Sequence, residues 1–180
     1  MAGGARIPPN PPQHCRYHLD TSYLIPLLLG RNPSEPIGAG GEAVAQVDEL
    51  ARAGRGAAAS MIAVGEAFQE IVTQPTVFDS APGYPAPSQK LVELLRERRL
   101  TVCWAGHAGG YGGQQFLDLA DGVRAAAPGV GLADILIVTC ALACRTTERL
   151  YTRDRRLIQN SELRTYCRRR RPAWEIVEAP

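Results

Sequence analysis

Along most of the chain, short apolar runs alternate with longer segments whose apolar residues recur at helical spacing. Arg16-Tyr17-His18-Leu19 reads as a short strand running straight into Asp20-Thr21-Ser22. Ser22 to Leu29 is apolar and helical, with Pro26 read as near enough to the first turn to be tolerated and Gly30 as the stop. From Glu42 to Ala53, Val44, Val47, Leu50 and Ala51 fall on one helical face, and Gly54 closes the segment. Gly56 to Met61 is a run of small apolar residues that suits a buried strand, and Ile62 to Val72 turns helical. Ser88 stands where a cap would open a helix through Arg99, with Leu91, Leu94 and Leu95 inward. Leu100 to Trp104 is a strand, Gln114 to Ala127 a helix stopped by Pro128-Gly129, and Leu132 to Cys144 a strongly apolar helix. Leu150-Tyr151-Thr152 is a short strand, Arg155 to Tyr166 is helical in part, and Trp174 to Val177 is the last strand.

Strands alternating with helices predict an α/β domain in which a mostly parallel sheet has helices on both faces. In such a sheet the ligand site lies beyond the carboxyl ends of the strands. The 180 residues suit one domain. Residues 1–14, rich in Gly and Pro, read as a flexible arm, and residues 15–180 as a single domain. Arg31 to Gly41 and Thr73 to Pro87 read as Pro-rich loops.

Composition narrows the function classes. A 45% hydrophobic and 21% charged chain is ordinary for a globular protein. A net charge of +2 excludes a strongly basic protein, but Arg dominates and Lys90 is the only lysine. Arg153, Arg155 and Arg156 surround Asp154, and Arg168 to Arg171 form a run. Guanidinium clusters match phosphate oxygens, and solvated faces explain the C-terminal run equally well. No segment approaches the roughly 20 apolar residues of a membrane span, and no signal pattern opens the chain, so a cytoplasmic location is expected. Cys140 and Cys144, one helical turn apart, read as buried small hydrophobes. His14 and His18 flank Cys15 without a second ligand pair, which argues against zinc. The Gly-rich stretch 106–113 lacks the Lys-Ser/Thr ending of a phosphate loop.

Four carboxylates carry the candidate chemistry. Asp20 and Asp154 directly follow strands, Glu66 lies in the first turns of a helix, and Asp134 opens the apolar helix. A parallel sheet brings all four to one edge. Each alone has an ordinary explanation: a cap at Asp20 or Asp154, a solvated residue at Glu66, a helix-dipole partner at Asp134. Together they form a pocket of hard oxygen ligands whose mutual repulsion calls for a cation, Mg²⁺ or Mn²⁺ rather than zinc.

The segments Tyr17-His18-Leu19-Asp20-Thr21-Ser22, Ala63-Val64-Gly65-Glu66-Ala67-Phe68, Leu132-Ala133-Asp134-Ile135-Leu136-Ile137 and Leu150-Tyr151-Thr152-Arg153-Asp154 resemble, in order and spacing, the PIN-domain family of metal-dependent ribonucleases. The resemblance implies a three-layer α/β/α sandwich and a divalent-metal-dependent endoribonuclease, hydrolysing RNA phosphodiesters through metal-activated water. It implies Asp20, Glu66, Asp134 and Asp154 as metal-holding catalytic acids, Thr152 as the hydroxyl that orients them, and Ser22 in a similar role. Glu70 rivals Glu66 one turn later. Arg153, Arg155 and Arg156 would bind the RNA backbone. An antitoxin or a processing-complex protein is the partner implied, and a homodimer is left open. The alternative is a catalytically inactive PIN-like module that binds RNA or protein.

Overall fold

The computed structural model describes residues 15–30, 56–74, 80, 83–103 and 113–178, together with Ala45 and Glu49. The expected arm at 1–14, most of the expected helix at 42–53, the loop at 31–41, Trp104 and the Gly-rich stretch through 112 lie outside these residues. Five strands, β1 (Cys15–Leu19), β2 (Gly56–Ser60), β3 (Leu100–Cys103), β4 (Arg149–Tyr151) and β5 (Glu175–Val177), form one sheet in the order β3-β2-β1-β4-β5. Every pairing is parallel. The helices are α1 (Thr21–Leu29), α2 (Met61–Thr73), α3 (Pro87–Arg96), α4 (Gly113–Ala126), α5 (Leu132–Ala143), α6 (Arg155–Ile158) and α7 (Ser161–Arg170). This is the expected three-layer α/β/α architecture.

Burial on both faces explains why the inner strands lack a polar side. Leu19, Ala57, Ala58, Ala59 and Leu150 are all shut off from solvent. Helices α1 and α5 are apolar around most of their circumference and correspondingly buried. Trp174 is in the core. Among the described residues no helix is long and apolar enough to cross a membrane.

Chain order departs from strand order at β1. From β1 the chain steps to β2 and β3 on one side, then crosses to β4 and β5 on the other. A crevice opens where the direction reverses, at the carboxyl ends of β1 and β4. Asp20 extends that ladder by one bond, its N–H donating to the Tyr151 carbonyl at 3.0 Å.

Some boundaries differ from the pattern, for local reasons. Ser88 does not cap α3. Pro87 occupies the first turn, where its missing N–H is no loss, and Ala86 is the N-cap. The helix ends at Arg96 rather than Arg99, because Arg98 adopts a left-handed φ of 56°. The N–H groups of Arg98 and Arg99 return to the carbonyls of Leu95 and Leu94, a Schellman ending without its usual glycine. Pro26 lies inside α1, one turn deeper than a first-turn position.

Gly30 ends α1 at φ 68°, and a Cβ there would fall 2.5 Å from the Tyr84 ring. That ring is held in place by its hydroxyl, which donates to the Leu27 carbonyl at 2.9 Å. Gly30→Ala therefore combines a left-handed penalty of about 1–2 kcal/mol with crowding against an anchored ring. A loss of about 2 kcal/mol in urea unfolding is expected; an unchanged midpoint would mean that α1 ends differently in solution.

Candidate metal centre at the carboxyl edge of the sheet

Asp20 is the N-cap residue of α1, yet its side chain makes no capping bond. It turns toward β4. Thr152 Oγ1 donates to Asp20 Oδ2 at 2.7 Å, and Ser22 Oγ donates to the same oxygen at 3.1 Å. Both hydroxyls also accept backbone N–H groups: Thr152 from Asp154 at 3.0 Å, Ser22 from Arg153 at 3.0 Å. These bonds lock the turn after β4 onto the turn after β1. They also load one carboxylate oxygen and leave Oδ1 buried without a partner, in a residue only 3% exposed. A buried, unpartnered carboxylate oxygen is unfavourable unless a cation or proton meets it.

Glu66 accepts a short hydrogen bond from Thr21 Oγ1. That bond ties α2 to the first residue of α1 and holds Glu66 close to Asp20 along the chain. Glu66 is therefore not a solvated helix residue. Glu70, one turn on, also feels the pocket: burial, then the charges of Glu66 and Asp20, raise its pKa. The pair the sequence leaves in competition thus occupies one electrostatic field.

Asp134 stands in the first turn of α5 and is half-buried. Burial first, then the charges of Asp20, Glu66 and Asp154, push its carboxyl up to about 6, against a smaller opposing pull from Arg156. The helix N-terminus therefore does not suffice to neutralise it. Asp154 differs. Its Oδ1 caps α6 by accepting the Arg156 N–H at 2.8 Å, so the cap reading holds at this residue. The Arg156 guanidinium also grips its two oxygens, at 3.1 Å from Nε to Oδ1 and 2.5 Å from Nη2 to Oδ2, and keeps its pKa low. The same Nη2 lies 3.5 Å from Asp134 Oδ2.

The structure brings the five residues expected in the site near one another: Thr152 hydrogen-bonds the Asp20 carboxylate and the Asp154 backbone, and the Asp20, Glu66 and Asp154 carboxylates act on Asp134 through charge. The three arginines part company. Arg155 is exposed, Arg153 lies over the Tyr23 ring at 5.2 Å, and Arg156 is drawn onto the acids. Thr21 as the anchor of Glu66 and Arg156 as a clamp were not read from the sequence. A Thr directly after the first acid was the only available signal for the former.

The raised Asp134 pKa has a measurable sign in the metal-free protein. Its folded value, about 6, exceeds its ordinary value of 3.8, so the folded state holds this proton more tightly. Its contribution to stability is full below pH 3.8 and is lost as pH rises through about 6. Solvent screening of a half-buried group limits the change to about 1–2 kcal/mol. Denaturant melts in EDTA between pH 4.5 and 7.5 should show wild type losing this increment relative to Asp134→Asn. Parallel profiles would contradict the crowding of acids described above.

No protein-family model matches the sequence, and no curated protein matches it. Among solved structures, the chain is similar to one in the crystal structure of VapBC2 from Rickettsia felis bound to a DNA fragment from their promoter. The TM-score is 0.52 at 16% identity, over 82% of this chain and 94% of that one. The likeness concerns the fold.

Proposed function

We propose that the chain is a divalent-cation-dependent endoribonuclease whose site is the acidic pocket. The observation that carries this reading is the buried, unpartnered Oδ1 of Asp20 together with a carboxyl, Asp134, that burial and then its acidic neighbours push up to about 6. Oxygen donors of this kind suit Mg²⁺ or Mn²⁺. When bound, such a cation lowers the pKa of a water and neutralises charge on phosphoryl oxygens. The chain's own residues set the geometry. Thr152 and Ser22 fix the Asp20 carboxylate, Thr21 fixes Glu66, and α5 presents Asp134 across the crevice. Arg155, exposed beside the site, would contact an RNA backbone, together with Arg153. The fold shared with the VapBC2 chain and the resemblance of the four acidic segments support the same reading, with an antitoxin-like or processing-complex protein as partner.

One observation favours a second reading. Arg156 already places a positive charge between Asp134 and Asp154, as a catalytically silent binding module could retain. Incubating purified protein with structured and single-stranded RNA in Mn²⁺, Mg²⁺ or EDTA separates the two. Cleavage with either cation and none in EDTA is the expected result. RNA retention without cleavage in all three conditions would favour the silent module.

A further inference from the structure

We propose that His18, Cys103 and Cys144 form a second, fully buried metal site that takes a zinc ion, separate in ligand chemistry from the acidic pocket. Their ligand atoms all lie within 4.8 Å of one another, and the residues are 0%, 7% and 7% exposed.

The sheet register explains how residues so far apart in sequence meet. His18 pairs with Ala58, and Ala58 with Thr101, so their side chains share one face of the sheet. Ser60 pairs with Cys103, which places Cys103 on that face too. Strand β2 separates the two ligands, and on this face it carries only Ala58 and Ser60. Side chains this small leave room for an imidazole and a thiol to approach each other above the strand. Helix α5 packs on β2, and its C-cap residue Cys144 brings the third ligand.

The unsatisfied group is the imidazole. His18 is completely buried, and neither Nδ1 nor Nε2 has a hydrogen-bond partner. A buried polar nitrogen left this way is unfavourable, a cost that an apolar residue in the same place would avoid. Metal ligation satisfies one nitrogen directly. The Cys144 thiol faces both other ligands, its ligand atom lying within 4.8 Å of theirs. Thr146 Oγ1 lies 3.5 Å from Cys144 Sγ and can steady a thiolate.

Two thiolates and an imidazole are a borderline-soft donor set that selects zinc over the hard cations suited to the carboxylates. Zinc accepts three protein ligands and completes four-coordination with an oxygen. Zinc–sulfur bonds of about 2.3 Å bring paired sulfurs to roughly 3.8 Å, within reach of side-chain rotation from the present separations. Binding exchanges the two thiol protons for the cation, and no oxidation state changes. The ion would tie β1, β3 and the end of α5 together across the sheet. Sequence spacing conceals the set because each ligand comes from a different element, with no paired-cysteine signature.

The test uses the full chain, expressed with zinc supplementation, desalted in the presence of EDTA and analysed for zinc by elemental mass spectrometry. Stoichiometric retained zinc is expected in wild type and in Asp20→Asn/Asp134→Asn, with loss in Cys144→Ser and retention in Cys140→Ser. Cobalt(II) added to metal-free wild type should give a thiolate-to-cobalt charge-transfer band with tetrahedral ligand-field bands, a readout independent of whether the variants fold. Absence of retained zinc together with absence of the thiolate band in wild type would overturn the site. So would a thiolate band that persists in folded Cys144→Ser.

Discussion

Asp134→Asn is expected to reduce metal-dependent RNA cleavage by about 10³-fold or more, roughly 4 kcal/mol of transition-state stabilisation. The same substitution should raise the unfolding midpoint in EDTA. The opposite signs follow from one arrangement. In the absence of a cation, Asp134 is a half-buried charge repelled by Asp20, Glu66 and Asp154, so a neutral isostere relieves the folded state. With a cation present, that charge is part of what holds it, and a ligand that binds only the folded state stabilises by mass action. Mn²⁺ should therefore raise the wild-type midpoint and leave Asp134→Asn unmoved. Asp20→Asn should match it in cleavage. Thr152→Val, which removes the 2.7 Å bond orienting Asp20 and keeps the carboxylates, should lose about 10–100-fold. Cleavage that survives Asp134→Asn would identify a contaminating nuclease or a site elsewhere, and the acidic pocket would lose its catalytic role.

Much of this site was legible because parallel α/β order converts sequence position into place. An acid directly after a strand, or at the start of a helix that follows one, must lie on the carboxyl edge. Asp20, Glu66 and Asp154 meet that condition, and Asp134 reaches the same edge differently, at the start of the helix that leads back into β4. The pattern could not say which acid has its own partner. Asp154 caps α6 and is clamped by Arg156, whereas Asp20 forgoes its helix cap for the hydroxyls of Thr152 and Ser22, a choice made by tertiary packing. Ser88 illustrates the reverse error: a good capping residue stands in place, but the helix starts at Pro87, two residues earlier than a Ser88 cap would start it. The His18, Cys103 and Cys144 cluster was illegible for a different reason. It depends on register across three strands and on the small side chains of β2, neither of which a linear spacing rule contains.

The arginine run at 168–171 makes the same point through stability. Arg171→Ala should lower unfolding free energy by about 3 kcal/mol, whereas Arg169→Ala should change it by less than about 0.5 kcal/mol. Arg171 ends α7, and its guanidinium reaches the carboxyl terminus of α5. Nη1 donates to the carbonyls of Leu142, at 3.4 Å, and Cys144, and Nη2 donates to the carbonyl of Arg145 at 2.8 Å. Leu142 and Cys144 stand at the end of α5, where carbonyls lack intrahelical donors and carry the negative end of the helix dipole, so a planar cation suits them. Arg168 pairs with Glu175 at 3.6 Å and Arg170 lies over the Tyr166 ring at 5.5 Å, so neither is simply a free charge for nucleic acid. Arg171→Lys should recover only part of the loss, because an ammonium cannot span three carbonyls with a fixed fork. Urea titrations of the three variants measure this directly, and the salt dependence of RNA binding measures the rival role. If Arg169→Ala and Arg171→Ala lowered RNA affinity equally while leaving stability untouched, the run would belong to the nucleic-acid surface. The expected outcome instead assigns Arg171 to the end of the helix that presents Asp134 to the pocket at its other end.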